Sequence, residues 1–311
     1  MDGVLIIDKP AGVTSYEVVD RVKRALKIKK VGHGGTLDPF TTGVLPILIG
    51  QATKLSQFLI KDTKLYQAVM RLGVETDTQD LTGEVTHECE VLGLKEDTIK
   101  KVFTDFTGKI KQIPPMFSAV KHQGVPLYRL ARKGKQIERK ARVVEIHQLR
   151  ISRMELPLVY FEVSCSGGTY IRTLAADIGK RLGCGAHLTE LRRIKSGTFG
   201  IEQAIALRDL EAAVKQGAVG KWLIPLDRAL PGLRRIQVEK ALALKIRQGK
   251  PITARDLRGT TLPSLSREER VMVISSPAEK SEEIELVAIA EVLANSDDRE
   301  KFALRTLRVF N

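Results

Sequence analysis

Apolar residues fall along the chain in short runs with two different spacings. Val4-Leu5-Ile6-Ile7 is an unbroken apolar run ahead of the turn Lys9-Pro10-Ala11-Gly12 and predicts a buried strand over residues 3–8. Thr14-Ser15-Tyr16-Glu17 has the form of a capping box. Behind it Val18, Val19, Val22 and Leu26 repeat at helical spacing, with Arg21, Lys23, Arg24 and Lys27 on the other side. Gly32 to Gly35 is too rich in glycine for a helix or an ordinary strand interior and predicts a loop. Val44 to Ile49, broken by Pro46, reads as a strand or its approach, and residues 65–73 as a strand with Tyr66 near its start. Val159 to Cys165 reads as another, ending at Ser166-Gly167-Gly168. Ile171, Leu174, Ala175, Ile178 and Leu182 then mark the inner face of a helix that Gly183 stops.

A boundary is expected near Pro231-Gly232. Beyond it come a short helical pattern over about 239–248 and apolar runs at 271–274, 286–292 and 307–310, the pattern of a small β-rich module over 231–311. There is no internal repeat and no low-complexity tract.

Composition narrows the function classes. With 311 residues, 43% of them apolar and 28% charged, the chain can bury a substantial core. No stretch approaches the roughly 18 to 20 consecutive apolar residues that a membrane helix needs. The start lacks the basic and long apolar segments of a signal peptide, so a cytoplasmic protein is expected. Three widely spaced cysteines, Cys89, Cys165 and Cys184, argue against a disulfide framework and fit a reducing compartment. Cys184 and His187 make one close Cys/His pair, which alone is not a zinc site, so no metal is expected. The net charge of +14 points towards a polyanionic partner. Lys121, His122, Arg129, Arg132, Lys133, Lys135, Arg139, Lys140 and Arg142 crowd the span 121–142 against one acid, Glu138. That span reads as an exposed loop or a mobile helical arm.

The densest chemical signal is Gly32-His33-Gly34-Gly35-Thr36-Leu37-Asp38-Pro39-Phe40-Thr41-Thr42-Gly43-Val44-Leu45-Pro46. It lacks the Gly-Lys-Ser/Thr ending of a phosphate-binding loop and the spacing of a dinucleotide fingerprint. It holds one carboxylate, Asp38, between tight turns. On turn chemistry alone, an aspartate before proline reads as a capping residue.

The segment closely resembles the signature of pseudouridine synthases of the TruB type. Asp8-Lys9-Pro10-Ala11-Gly12-Val13-Thr14-Ser15 is similar to the family's first motif and Lys64-Leu65-Tyr66 to its tyrosine motif. Cys165-Ser166-Gly167-Gly168-Thr169-Tyr170-Ile171-Arg172-Thr173-Leu174 resembles its arginine motif, and Leu188-Thr189-Glu190-Leu191-Arg192-Arg193 the segment that completes the pocket. All stand in the family's order across residues 1–230. The last 80 or so residues resemble, less specifically, a PUA domain, a small RNA-binding module.

The resemblance implies a mixed α/β (α+β) catalytic domain over 1–230, with a mostly antiparallel sheet, flanking helices and a cleft across its middle, followed by a β-rich pseudo-barrel over 231–311. It implies isomerisation of uridine to pseudouridine in the T-loop of tRNA, at standard position 55, without a cofactor or an obligatory protein partner, by a chain expected to be a monomer. Asp38 is then the catalytic carboxylate. Arg172 is its guanidinium partner, expected to keep it ionised. Tyr66 stacks on the flipped base, its phenol within reach of the C5 proton. Tyr170 and Leu191 form pocket wall, and His33 stacks on or hydrogen-bonds the displaced nucleotide. Lys9, Lys54 and the arm with Lys121, Arg129, Arg132 and Lys133 are candidate phosphate contacts. The alternatives are the catalytic subunit of a guide-RNA-dependent synthase, or a tRNA-folding chaperone without chemistry.

Overall fold

The structure is a computed structural model that describes residues 1–257, 260, 262–276, 284–294 and 303–311. One mixed sheet dominates it. Its main strands are β1 (Gly3–Lys9), β2 (Thr42–Ile49), β3 (Lys64–Leu72), β4 (Gly108–Gln112), β5 (Arg142–Glu155), β6 (Leu158–Cys165) and β7 (Ala186–Ser196). Across the sheet the order is a short strand Ile205–Ala206, then β1, β2, β7, β3, β6, β5 and β4. Nearly all pairings are antiparallel. The central joint is different: β7 runs parallel to β2 through only two residues, Arg192 opposite Thr42 and Arg193 opposite Gly43.

The continuous apolar runs of β1 and β2 have a packing reason: both faces are buried there. Leu5, Ile7, Leu45, Ile47 and Ile49 point into one core with helix α1 (Ser15–Leu26), through Val18, Val19 and Val22. Val4, Ile6, Val44 and Leu48 point the other way. The strands β3 and β6 bury one face only. Val159, Phe161, Val163 and Cys165 join the first core beneath α2 (Glu96–Asp105) and α3 (Ile171–Leu182), while Gln67 and Arg71 stand on the open face.

Helix ends follow their sequence signals. Thr14 caps α1 with both halves of the capping box formed to Glu17, and Gly183 closes α3 at φ 80°. Two elements depart from expectation. Val31–His33 is a short strand paired to β2, because its backbone groups complete that edge in spite of the glycine at 32. The strand β5, with its mixed polar and apolar residues, gives no clean alternation; a bulge near His147 and another near Ser152 shift its register.

The C-terminal residues form a four-stranded sheet of β8 (Arg234–Gln237), β9 (Arg270–Ser275), β10 (Glu285–Val292) and β11 (Leu304–Val309), with α4 (Lys240–Arg247). Met272, Ile274, Leu286, Ile289 and Phe310 share one core with Leu48, Phe58, Leu59 and Leu230. This sheet therefore covers the second face of β1 and β2. Lys54, Arg308 and Arg270 stitch the seam. Lys54 Nζ donates to the Val309 carbonyl at 2.7 Å, Arg308 Nη2 donates to Gln57 at 3.1 Å, and the Arg270 guanidinium lies 5.7 Å from the Phe58 ring centre. Among the described residues no helix is long and apolar enough to cross a membrane.

Candidate active site

Asp38 stands on the loop that leads into β2, and that loop is fixed from three sides. The Ser15 hydroxyl accepts from Leu37 N at 2.9 Å and donates to Leu37 O at 3.1 Å. Lys9 Nζ donates to the carbonyls of Pro10, Val13 and Pro39 at 2.9, 2.7 and 3.0 Å. Arg193 Nε donates to Val44 O at 2.7 Å and its Nη2 to Gly35 O at 3.1 Å. Gly43, at φ 99°, lets the loop close on β7: a Cβ there would stand 2.2 Å from the Arg193 carbonyl oxygen.

Arg172, in the first turn of α3, meets Asp38 side-on. Its Nη2 lies 3.3 Å from Oδ1 and its Nε 3.3 Å from Oδ2; the second contact is an ion pair without hydrogen-bond alignment. The same guanidinium faces a second carboxylate, with Nη1 3.4 Å from Asp80 Oδ2, and its Nη2 also donates to the Phe117 carbonyl. Asp80 is buried. Its Oδ1 accepts from Thr78 Oγ1, Thr82 N and Thr82 Oγ1, which fixes it at the centre of a tight polar turn. Sequence reasoning missed Asp80, although the run Thr76-Asp77-Thr78-Gln79-Asp80-Leu81-Thr82-Gly83 directly after a strand carries the composition of such a turn.

The side chain of Asp38 is one-third open (33%), but protein surrounds it on its other sides. Burial pushes its pKa above the usual aspartate value; the Arg172 charge opposes this, Asp80 adds to it and Lys9 opposes it. The Arg172 charge acts in the expected sense, towards the ionised form, and desolvation is the larger effect. Tyr66, on β3, is buried at 8% exposure, and burial raises its phenol against the pull of Arg193. Tyr170 caps the start of α3 with its backbone bonded to the Gln112 amide, N to Oε1 at 2.8 Å and O to Nε2 at 3.0 Å. Its ring centre lies 6.0 Å from the Arg172 guanidinium.

Beside the Asp38 loop, a groove of about 630 Å³ crosses the open face of the sheet, lined by Phe40, Thr42, Leu191, Arg192, Leu81 and Tyr160 among others. Leu191 thus forms wall. His33 is half-buried, with Nδ1 unpaired and its pKa lowered by burial. Two lysine expectations are corrected. Lys9 is fully buried, and its ammonium spends its three donors on carbonyls, so it has none left for a phosphate. Lys54 lies in the seam to the C-terminal sheet, bonded to Val309 and 5.6 Å from the Phe310 ring centre.

The span 121–142 is a small hairpin, Lys121–His122 with Val125–Pro126, running into the short helix Leu127–Ala131. Lys121, Arg129, Arg132 and Lys133 are exposed on it. Its root is tied close to the carboxylates: Tyr128 N donates to Ser118 O at 3.1 Å, next to the Phe117 carbonyl that Arg172 holds. Among the described residues no cluster of His, Cys, Asp and Glu is arranged to hold a metal.

Two family models match consecutive parts of the chain. The N-terminal domain of the TruB family pseudouridylate synthases matches residues 23–171, and the tRNA pseudouridylate synthase B C-terminal domain matches residues 172–231. A tRNA pseudouridine synthase B from Geobacter sulfurreducens is 45% identical over 314 residues, covering 100% of both chains. Another from Geotalea uraniireducens is 44% identical over 311 residues, covering 100% of this chain and 98% of the relative. Among solved structures, a Cbf5-Nop10-Gar1 complex matches with a TM-score of 0.76 at 30% identity, over 99% of this chain and 85% of that one. An H/ACA RNP bound to a substrate RNA containing 2′-deoxyuridine matches with a TM-score of 0.75 at 28% identity, over 99% and 85%.

Proposed function

The chain belongs to the TruB family of pseudouridylate synthases and isomerises uridine to pseudouridine in tRNA, and we propose that Asp38 is the carboxylate that does so, acting on the T-arm uridine at standard position 55. The observation that carries this is the sharing of one buried guanidinium, Arg172, between Asp38 and Asp80 beside an open groove.

The reaction breaks the N1–C1′ bond, turns the freed base, joins C5 to C1′ and moves a proton from C5 to N1. Every atom stays in the nucleotide, so the protein's tasks are to extract the base, hold it and supply charge at the right point. A base inside a stacked loop must leave its stack to reach Asp38. The exposed cations of the 121–142 arm supply phosphate contacts beside the groove, and such contacts position the RNA without reading its sequence. Tyr66 offers the base an aromatic face and a phenol. The ionised Asp38, which cannot rotate away from Arg172 without losing both contacts, is the group that engages the target nucleotide.

The C-terminal sheet serves as a PUA-like RNA-binding module and also closes the second face of β1 and β2. The protein works as a cytoplasmic monomer without an obligatory partner. The guide-RNA reading is disfavoured by identity and coverage: a relative named for tRNA matches at 45% over its whole length, against 30% and 85% for the matching chain of the Cbf5-Nop10-Gar1 complex.

Purified protein is incubated with an unmodified tRNA transcript and with the same transcript carrying cytidine at position 55, and pseudouridine is mapped by carbodiimide-dependent primer stops. One stop at position 55, lost in the second transcript, is expected. A stop elsewhere in the first transcript refutes the proposed target.

A further inference from the structure

Arg193 is the largest fully buried side chain of the described residues, at 1% exposure. A buried charge is costly unless it is compensated, and the usual compensation is a carboxylate. Among the described residues none forms an ion pair with Arg193. The guanidinium is met instead by backbone carbonyls: Val44 O at 2.7 Å, Gly35 O at 3.1 Å and Thr36 O at 3.5 Å. Two of the three belong to the loop that carries Asp38. A guanidinium cannot give up its proton to escape the cost, so the charge persists where it stands.

Its place in the sheet is as specific as its contacts. Arg193 sits at the joint between the two halves, opposite Gly43 in parallel register on one side and opposite Tyr66 in antiparallel register on the other. As direct cross-strand partners the two side chains share one face of the sheet, and the Arg193 charge draws the phenol's pKa down against the larger rise that burial causes. Lys64, two residues before Tyr66 on the same face, is buried as well. Burial and the Arg193 charge bring its ammonium down to about 8.

We infer that Arg193 is a positioning residue of the isomerisation, holding the Asp38 loop and the Tyr66 phenol in one frame and readying the Tyr66 oxygen to take the C5 proton. The inference rests on the reading of Asp38 and Tyr66 given above. Once C5 has joined C1′, it carries the new bond and its proton together. The Tyr66 phenol oxygen accepts that proton as its own O–H proton passes through solvent to N1, so Tyr66 ends as the phenol it began. The C5–H electron pair becomes the C5=C6 double bond and the N1=C6 pair moves to N1, which takes the proton given up by Tyr66: one proton leaves C5 and one arrives at N1. A lysine at 193 keeps the charge but lacks the planar fork that meets three carbonyls at once.

The test uses full-length protein and tRNA transcribed with either ordinary or C5-deuterated uridine. For Arg193→Lys, turnover should fall at least tenfold with KM within about threefold, and the deuterium effect on kcat should rise above the wild-type value, because proton removal has become slower. In a Tyr66→Phe background the same change should still slow turnover through the Asp38 loop but raise the isotope effect no further. An Arg193→Lys protein with wild-type turnover, or with lower turnover but an unchanged isotope effect, overturns the inference. If that variant does not fold, Arg193→Gln is measured in the same way, and failure of both to fold makes the arginine purely structural and overturns it too. A wild-type protein that makes no pseudouridine in this tRNA overturns the functional reading and this inference with it. Wild-type product with an unchanged isotope effect in the variants overturns the inference alone.

Discussion

Asp80 meets the Nη1 of Arg172 at 3.4 Å, while Asp38 takes the Nε and Nη2 of the same guanidinium at 3.3 Å each. The arginine is therefore oriented from behind by an aspartate that is itself locked by three hydrogen bonds, and it presents its remaining edge to Asp38. Asp80→Asn removes one of the two charges and puts an amide donor where Thr82 or Arg172 expects an acceptor. Turnover should drop by roughly ten- to a hundredfold, equivalent to about 1.4–2.7 kcal/mol, with little change in KM. Single-turnover kinetics on tRNA measure it; wild-type turnover would mean that Asp38 alone aims Arg172.

Arg172→Lys keeps the charge but loses the planar fork that spans both carboxylates and the Phe117 carbonyl. A loss on the order of a hundredfold in turnover is expected, about 2.7 kcal/mol of transition-state stabilisation. Normal turnover in this variant would make the arginine structural and leave Asp38 positioned by Lys9 and Ser15.

Burial raises the Asp38 pKa above that of an ordinary aspartate. Activity needs the carboxylate, so it should rise as pH climbs through that raised value, with its acid limb displaced upward from the usual aspartate range. The stability sign is opposite. A carboxyl with a raised folded pKa holds its proton longer folded than unfolded, so the folded state loses stability between the two values and carries the full penalty above the folded pKa. Asp38→Asn should accordingly unfold at neutral pH at a temperature no lower than wild type. A single-turnover pH profile and thermal melts of both proteins check the pair.

Deleting residues 231–311 would uncover Val44, Leu48, Phe58 and Leu59, which share a core with Met272, Ile274, Ile289 and Phe310. The truncated chain should aggregate or melt well below the full chain. If light scattering and calorimetry instead show a soluble, cooperatively folding fragment, the two cores are independent. Salt dependence of tRNA binding would then report what the C-terminal sheet contributes, since each lost phosphate contact flattens the log–log slope by roughly 0.7 to 0.9.

How much of this was legible in the chain varied with the kind of signal. Local chemistry read well: the Thr14–Glu17 box, the Gly183 stop and the apolar runs of β1, β2 and β6 are properties of neighbours in sequence. The strand β5 did not, because its bulges break the alternation by which a strand is recognised. Asp38, Tyr66 and Arg172 were singled out through motif resemblance. The Asp38–Arg172 contact joins residues 134 positions apart, which no local pattern encodes. Lys9 misled for a related reason. A lysine beside a turn is usually solvated, and only the fold reveals that this one is enclosed by three carbonyls. Asp80 was missed, and Arg193 was read only as the end of the pocket segment, because each bridges elements distant in sequence.

The most direct measurement is tritium release from tRNA carrying C5-tritiated uridine, with wild-type protein and Asp38→Asn side by side and tRNA affinity measured for both. The asparagine keeps the shape and the affinity within a few fold but removes the charge. The wild-type protein should release the tritium of one uridine per tRNA and the variant none above background. Release by Asp38→Asn within tenfold of the wild-type rate would contradict the assignment of the chemistry to Asp38.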